Sequence, residues 1–119
     1  MTPTLGIMQG RLSAPVPGRA QYFPVERWEE EFRLAGEIGF DAIEWLVDDQ
    51  FADGNPLFSP AGRARARELA RGIAIPSVCA DCFKTDALIS DDAQARSLAA
   101  NRLGDVIVAA AAIGARTVL

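Results

Sequence analysis

Histidine is absent from the 119 residues and cysteine occurs only twice. Two thiolates with no histidine and no second cysteine pair fall short of the four ligands of a structural zinc site. Positive charge is in deficit as well. Twelve basic against 16 acidic side chains give a formal charge of -4, with a pI near 4.7, so a phosphate backbone is repelled rather than neutralised and nucleic acid is not the expected partner. Long apolar runs are missing: the longest, Val106 to Gly114, is about half of the roughly 20 residues that cross a bilayer. No early Lys or Arg precedes an apolar core with a small-residue cleavage site, so the start reads as cytoplasmic rather than as a signal peptide. Two cysteines suit a reducing compartment. What remains, 50% hydrophobic and 24% charged residues, is the makeup of one globular domain and excludes disorder or a fibrous repeat.

Along the chain, period-2 alternation and helical periodicity take turns, the pattern of a parallel sheet built from strand-helix-strand units. The first strand is expected at Leu5 to Met8, ending in Gln9-Gly10-Arg11, with a Pro- and Gly-rich loop from Ser13 to Pro24 after it. A helix from about Pro24 places Val25, Trp28, Phe32 and Ala35 on one face and Glu29 to Glu31 mostly on the other, stopping at Gly39. The second strand spans Asp41 to Asp48, with Ala42, Glu44 and Leu46 pointing one way and Ile43, Trp45 and Val47 the other. Ser59-Pro60, an N-cap followed by proline, opens a helix that runs to Gly72. A third strand over Ile73 to Asp81 sets Ile75, Ser77, Cys79 and Asp81 on one side. The last helix starts near Ser90 and Asp91-Asp92, carries Ala99, Leu103, Val106, Ala110 and Ile113 on a stripe, and stops at Gly114. A fourth strand begins at Arg116.

Strand starts near residues 5, 41, 73 and 116 recur at roughly 37 residues, so eight units would need about 300 residues, compatible with a closed (β/α)8 barrel carrying insertions. Three units and the start of a fourth leave unpaired edges. The expected fold class is therefore α/β, a partial (β/α)8 TIM barrel comprising the first three βα units plus the start of strand 4, with residues 1–119 as the N-terminal part of one domain.

An ordered set of segments carries a family resemblance: Leu5-Gly6-Ile7-Met8-Gln9-Gly10-Arg11-Leu12-Ser13, Phe23-Pro24 before Trp28, Gly39-Phe40-Asp41-Ala42-Ile43-Glu44-Trp45, Asn55-Pro56-Leu57, Ile75-Pro76-Ser77-Val78-Cys79-Ala80-Asp81 and Gly114-Ala115. In this order the chain resembles the N-terminal half of the xylose-isomerase-like TIM-barrel family of sugar and sugar-phosphate isomerases and epimerases. The resemblance implies a divalent metal, Mn, Mg, Co or Zn, held by two Glu, an Asp and a His from strands of the second half. It also implies proton transfer next to a carbonyl through an enediolate. With no histidine and no later strands, these residues are expected to supply barrel wall and substrate rim, with no catalytic residue and no bound metal of their own.

Barrel enzymes keep their chemistry at the carboxyl ends of the strands, which singles out three substrate-binding candidates. The planar fork of Arg11 matches an anionic oxygen pair; otherwise Arg11 anchors a loop through a salt bridge. Glu44, set among apolar neighbours on an inward row, needs a cation, a metal or a hydrogen-bond partner, and supports the site or touches substrate. Asp81 orients the site or caps a turn. Trp45 and Trp28 read as core packing. Cys79-Ala80-Asp81-Cys82 has the spacing of a redox pair, but Cys79 falls inside a strand with no aromatic residue before it, so Cys79 is expected to line the barrel and Cys82 to sit in the loop. Arg63, Arg65, Arg67 and Arg71 read as a solvated helix face rather than a nucleic-acid patch.

The leading expectation is thus an arc of a metal-dependent sugar or sugar-phosphate isomerase or epimerase, cytoplasmic, with a small carbohydrate or sugar phosphate as partner, no membrane contact and homo-oligomers possible. The other reading is a non-catalytic sugar-binding or self-associating half barrel.

Overall fold

The computed structural model describes residues 4–85 and 88–119. Its elements are β1 (Gly6–Met8), α1 (Trp28–Ile38), β2 (Ala42–Leu46), a 3-10 turn (Pro56–Phe58), α2 (Pro60–Leu69), β3 (Ser77–Cys79), a second 3-10 turn (Asp81–Lys84), α3 (Ala93–Ala112) and β4 (Thr117–Val118). The strands are all parallel, in the order β1-β2-β3-β4. Connections between consecutive parallel neighbours are right-handed as a rule, which brings their helices to the same face, and the core follows suit. Ile43, Trp45, Val47 and Val78 lie in one cluster with Phe32 and Ala35 of α1, Ala66 of α2, and Val106, Ala109 and Ala110 of α3. On the other face Ala42 and Leu46 are buried, Met8, Glu44, Ser77 and Cys79 half-buried, and Thr117 and Leu119 exposed. One side of the sheet is finished and the other is not. The expected α/β class holds; closure into a barrel is not something four strands display.

Several boundaries differ from the sequence reading for local reasons. Helix α1 begins at Trp28 because residues 23–27 fold into turns, with Val25 N–H on Phe23 O and Arg27 N–H on Pro24 O, each at 2.9 Å. Val25 therefore sits outside the helix and is half exposed. Strand β3 shrinks to three residues. Pro76 has no N–H for the ladder, and from the isolated bridge Ala42–Ala74 to the pair Trp45–Val78, three steps along β2 match four along β3. That extra residue is a bulge. Helix α2 starts as expected, Ser59 Oγ accepting from Gly62 N–H at 3.0 Å, and ends at Leu69 rather than Gly72. Helix α3 is capped by Asp92, whose carboxylate accepts from Gln94 N–H at 2.9 Å. Its stripe is buried at Ala99, Val106, Ala110 and Ile113, with Leu103 half-buried. Trp28 and Trp45 are core residues, their rings 5.4 Å apart.

Candidate functional site

The chain leaves β1 through a tight turn. Arg11 N–H bonds back to Met8 O at 3.3 Å, and Gly10 takes φ +89°, with no room for a Cβ, which would stand 2.7 Å from Tyr22 O. The amides on either side of Arg11 converge on Glu31. Gly10 N lies 2.6 Å from Glu31 Oε1 and 3.1 Å from Oε2, and Leu12 N lies 3.0 Å from Oε2. Glu31 is 1% exposed, so it does not belong to the polar face of α1 as the sequence reading had it. Burial pushes its carboxyl above the ordinary range, and the two N–H groups pull the other way. A signal was present: Glu31 sits three residues after Trp28 and four before Ala35, on the apolar stripe itself.

The loop after the turn is pinned to the end of β2. Asp48, 4% exposed, accepts from Phe23 N–H at 2.8 Å and from Gln50 N–H at 3.1 Å. Arg19 pairs with Asp48 at 3.4 Å and also with Asp49. No sequence spacing announces a contact between residues so far apart. Gln9 extends the sheet where its backbone turns away: its N–H bonds Glu44 O at 3.0 Å, while its side-chain Oε1 accepts the Leu46 N–H at 2.9 Å, a place that a backbone carbonyl fills in a regular parallel ladder. Asn55 completes the stitching, its Nδ2 donating to Leu46 O at 2.9 Å and its Oδ1 accepting from Trp45 Nε1 and Leu57 N–H, both at 3.1 Å.

On the open face, Ser77 donates to Glu44 Oε2 at 2.5 Å, so Glu44 has the hydrogen-bond partner its setting requires. Asp81 begins the second 3-10 turn, makes no side-chain cap bond there, and pairs with Lys84 at 2.5 Å. Cys79 lies within reach of both carboxylates: burial pushes its thiol up, and the charges of Glu44 and Asp81 add to the shift. Cys82 sits in the 3-10 turn after β3, a connecting segment as expected, and its side chain is buried in the core; among the described residues no disulfide joins the two cysteines. Glu44 is thus tied to Ser77 and Asp81 to Lys84, and both carboxylates bear electrostatically on Cys79. Arg11 is held elsewhere, its Nη1 donating to Ala20 O at 2.8 Å; it anchors the loop through a carbonyl rather than a salt bridge.

A divalent metal does not fit this donor set. Among the described residues no three His, Cys, Asp or Glu side chains converge on a point, and the carboxylates of Glu44 and Asp81 are engaged by Ser77 and Lys84. The arginines of α2 have structural partners. Arg63 donates to Leu57 O, Arg65 pairs with Glu29 and Glu68, and Arg67 caps the carboxyl end of α3 at Ala112 O, 3.0 Å away. Among the described residues no helix is long and apolar enough to cross a membrane.

Fold and site together define a parallel α/β sheet, helices on one face and a polar rim at the carboxyl ends of its strands. No protein-family profile matches the chain, and no curated protein shows a significant match to it.

Proposed function

We propose that this chain is one arc of a (β/α)8 barrel, three βα units and the start of a fourth strand, belonging to a cytoplasmic sugar or sugar-phosphate isomerase or epimerase. The observation that carries the reading is the sheet. Consecutive parallel strands in sequence order have their helices on one face, while on the other Glu44 and Ser77 are bonded, with Cys79 at the carboxyl end of β3 and Asp81 just beyond it, where barrel enzymes keep their chemistry. The part of this arc is to bind and orient. Glu44 has a second carboxylate oxygen beyond the one bonded to Ser77, able to accept a sugar hydroxyl. Arg11, with four donors beyond the one on Ala20 O, and the exposed Lys84 suit an anionic group. No proton-transfer step falls to these side chains, and a metal would take its ligands from other strands.

Titration of the 15N-labelled chain with D-fructose and D-fructose 6-phosphate tests the reading. Saturable shifts at Arg11, Glu44, Ser77 and Asp81 are expected. Silence there, or shifts confined to the α2 arginines, would overturn it. The free edges of β1 and β4, with Leu5 60% and Leu119 68% exposed, favour a second reading, two copies pairing as half barrels. Size-exclusion chromatography separates the two: a concentration-independent monomer sinks the second.

A further inference from the structure

Glu31 is a buried carboxylate to which the reading above gives no part. It occupies the apolar stripe of α1, where a Leu or Met would pack without the cost of desolvating a charge. Its oxygens meet the N–H groups of Gly10 and Leu12, two amides from one turn converging on one anion in the manner of a backbone nest. Arg11 lies between those amides, and its own N–H is taken by Met8 O. Arg27, one helical turn earlier, is the charge that bears on Glu31 from α1. From the loop, Arg11 is turned to Ala20 O and Arg19 to Asp48 and Asp49.

We propose that Glu31 is the positioning residue for Arg11: by gripping the peptide N–H on each side, its carboxylate sets the direction in which Arg11 leaves the end of β1, and so the place where the anionic oxygens of a sugar phosphate are met. Gly10, packed against Tyr22 O, leaves the turn little freedom to find another path. The inference rests on the reading of Arg11 as a substrate contact and deepens it, since it ties recognition of the phosphate to a residue on a different element.

A double-mutant cycle on the full chain tests it, with D-fructose 6-phosphate as the probe and the amide spectrum as a second readout. Glu31→Gln keeps one acceptor and places an NH2 against the other amide, so the Gly10 and Leu12 amide protons move upfield. Affinity for the probe falls about tenfold in Glu31→Gln and about as much in Arg11→Ala, the size of effect that removing one charge-assisted hydrogen bond produces. In the Arg11→Ala background, Glu31→Gln brings no further loss. Losses that multiply, or an affinity untouched by Glu31→Gln while Arg11→Ala weakens binding, overturn this inference and leave the proposed function standing. If Arg11→Ala has no effect, or the wild-type chain does not bind the probe, the reading of the site fails and this inference with it. Should Glu31→Gln not fold, Glu31→Asp, which keeps the charge and shortens its reach by one methylene, carries the same cycle.

Discussion

Ser77 donates its hydroxyl hydrogen to Glu44 Oε2 across 2.5 Å, tying β3 to β2 on the face the helices leave open. Both residues are half-buried, so the bond is partly screened by solvent. Ser77→Ala is expected to lower stability by about 1 kcal/mol, the net worth of an ordinary hydrogen bond, in urea denaturation. A loss above roughly 3 kcal/mol would mean that Glu44 is left without solvent access.

Asn55 stands at the other extreme. It is 5% exposed and satisfies Trp45 Nε1, Leu57 N–H and Leu46 O together. Asn55→Leu strands all three and should cost about 3 kcal/mol or more, since each buried group left unpaired carries about 1–3 kcal/mol. Trp45 packs against Phe23 and Trp28, so tryptophan fluorescence should report the change alongside the denaturation midpoint.

Two helical glycines should respond with opposite sign to alanine. At Gly62 a Cβ would lie 2.1 Å from Pro56 O, so Gly62→Ala must push α2 away from the 3-10 turn, at a cost of about 2 kcal/mol or more. At Gly104, inside α3, a Cβ meets nothing within 4 Å, and Gly104→Ala should stabilise by about 0.5–1 kcal/mol through helix propensity. Thermal melts of the two variants decide both.

Stability should carry a pH signature from Glu31. Its carboxyl is raised above 4.5 by burial, so between that value and its folded-state value the native chain binds more protons than the unfolded one. Glu31's contribution is then fully present below pH 4.5 and is lost as pH rises through the folded value, with a slope of at most about 1.4 kcal/mol per pH unit. The wild-type minus Glu31→Gln difference in unfolding free energy, measured from pH 4 to 8, should show that fall. A flat or rising difference would contradict it.

Cys79 should be a slow nucleophile. Burial and the charges of Glu44 and Asp81 push its thiol above 9.0, which lowers the thiolate fraction near neutral pH. Alkylation by iodoacetamide at pH 7.5, followed by mass spectrometry, should be slower than for free cysteine, and Asp81→Asn should speed it. Alkylation as fast as that of free cysteine would place Cys79 outside the influence of both carboxylates.

The alternation through Ala42 to Val47, the Ser59-Pro60 start and the stop at Gly114 were legible because each rests on local chemistry: side-chain period, a capping hydroxyl, a backbone that only glycine adopts readily. Arg11, Glu44 and Asp81 could be placed at strand ends on the same grounds. That Glu44 is bonded by Ser77 and Asp81 by Lys84 while Arg11 faces Ala20 could not, since it depends on how the strand ends are arranged in space. Glu31 was half legible, standing on the apolar stripe yet read as mostly solvent-facing together with its neighbours Glu29 and Glu30 in one acidic run.

By itself the sequence determined the α/β class, the succession of units and which face of β2 turns to the helices, because periodicity and caps act over a few residues. Only the tertiary structure decided the partners of the buried polar groups: Glu31 with the amides of Gly10 and Leu12, Gln9 with Leu46, Asp48 with Phe23 and Arg19, and Asn55 with Trp45. Desolvation obliges a buried polar atom to find a partner, but it does not name one. Chain geometry over tens of residues makes that choice, and no local pattern encodes it.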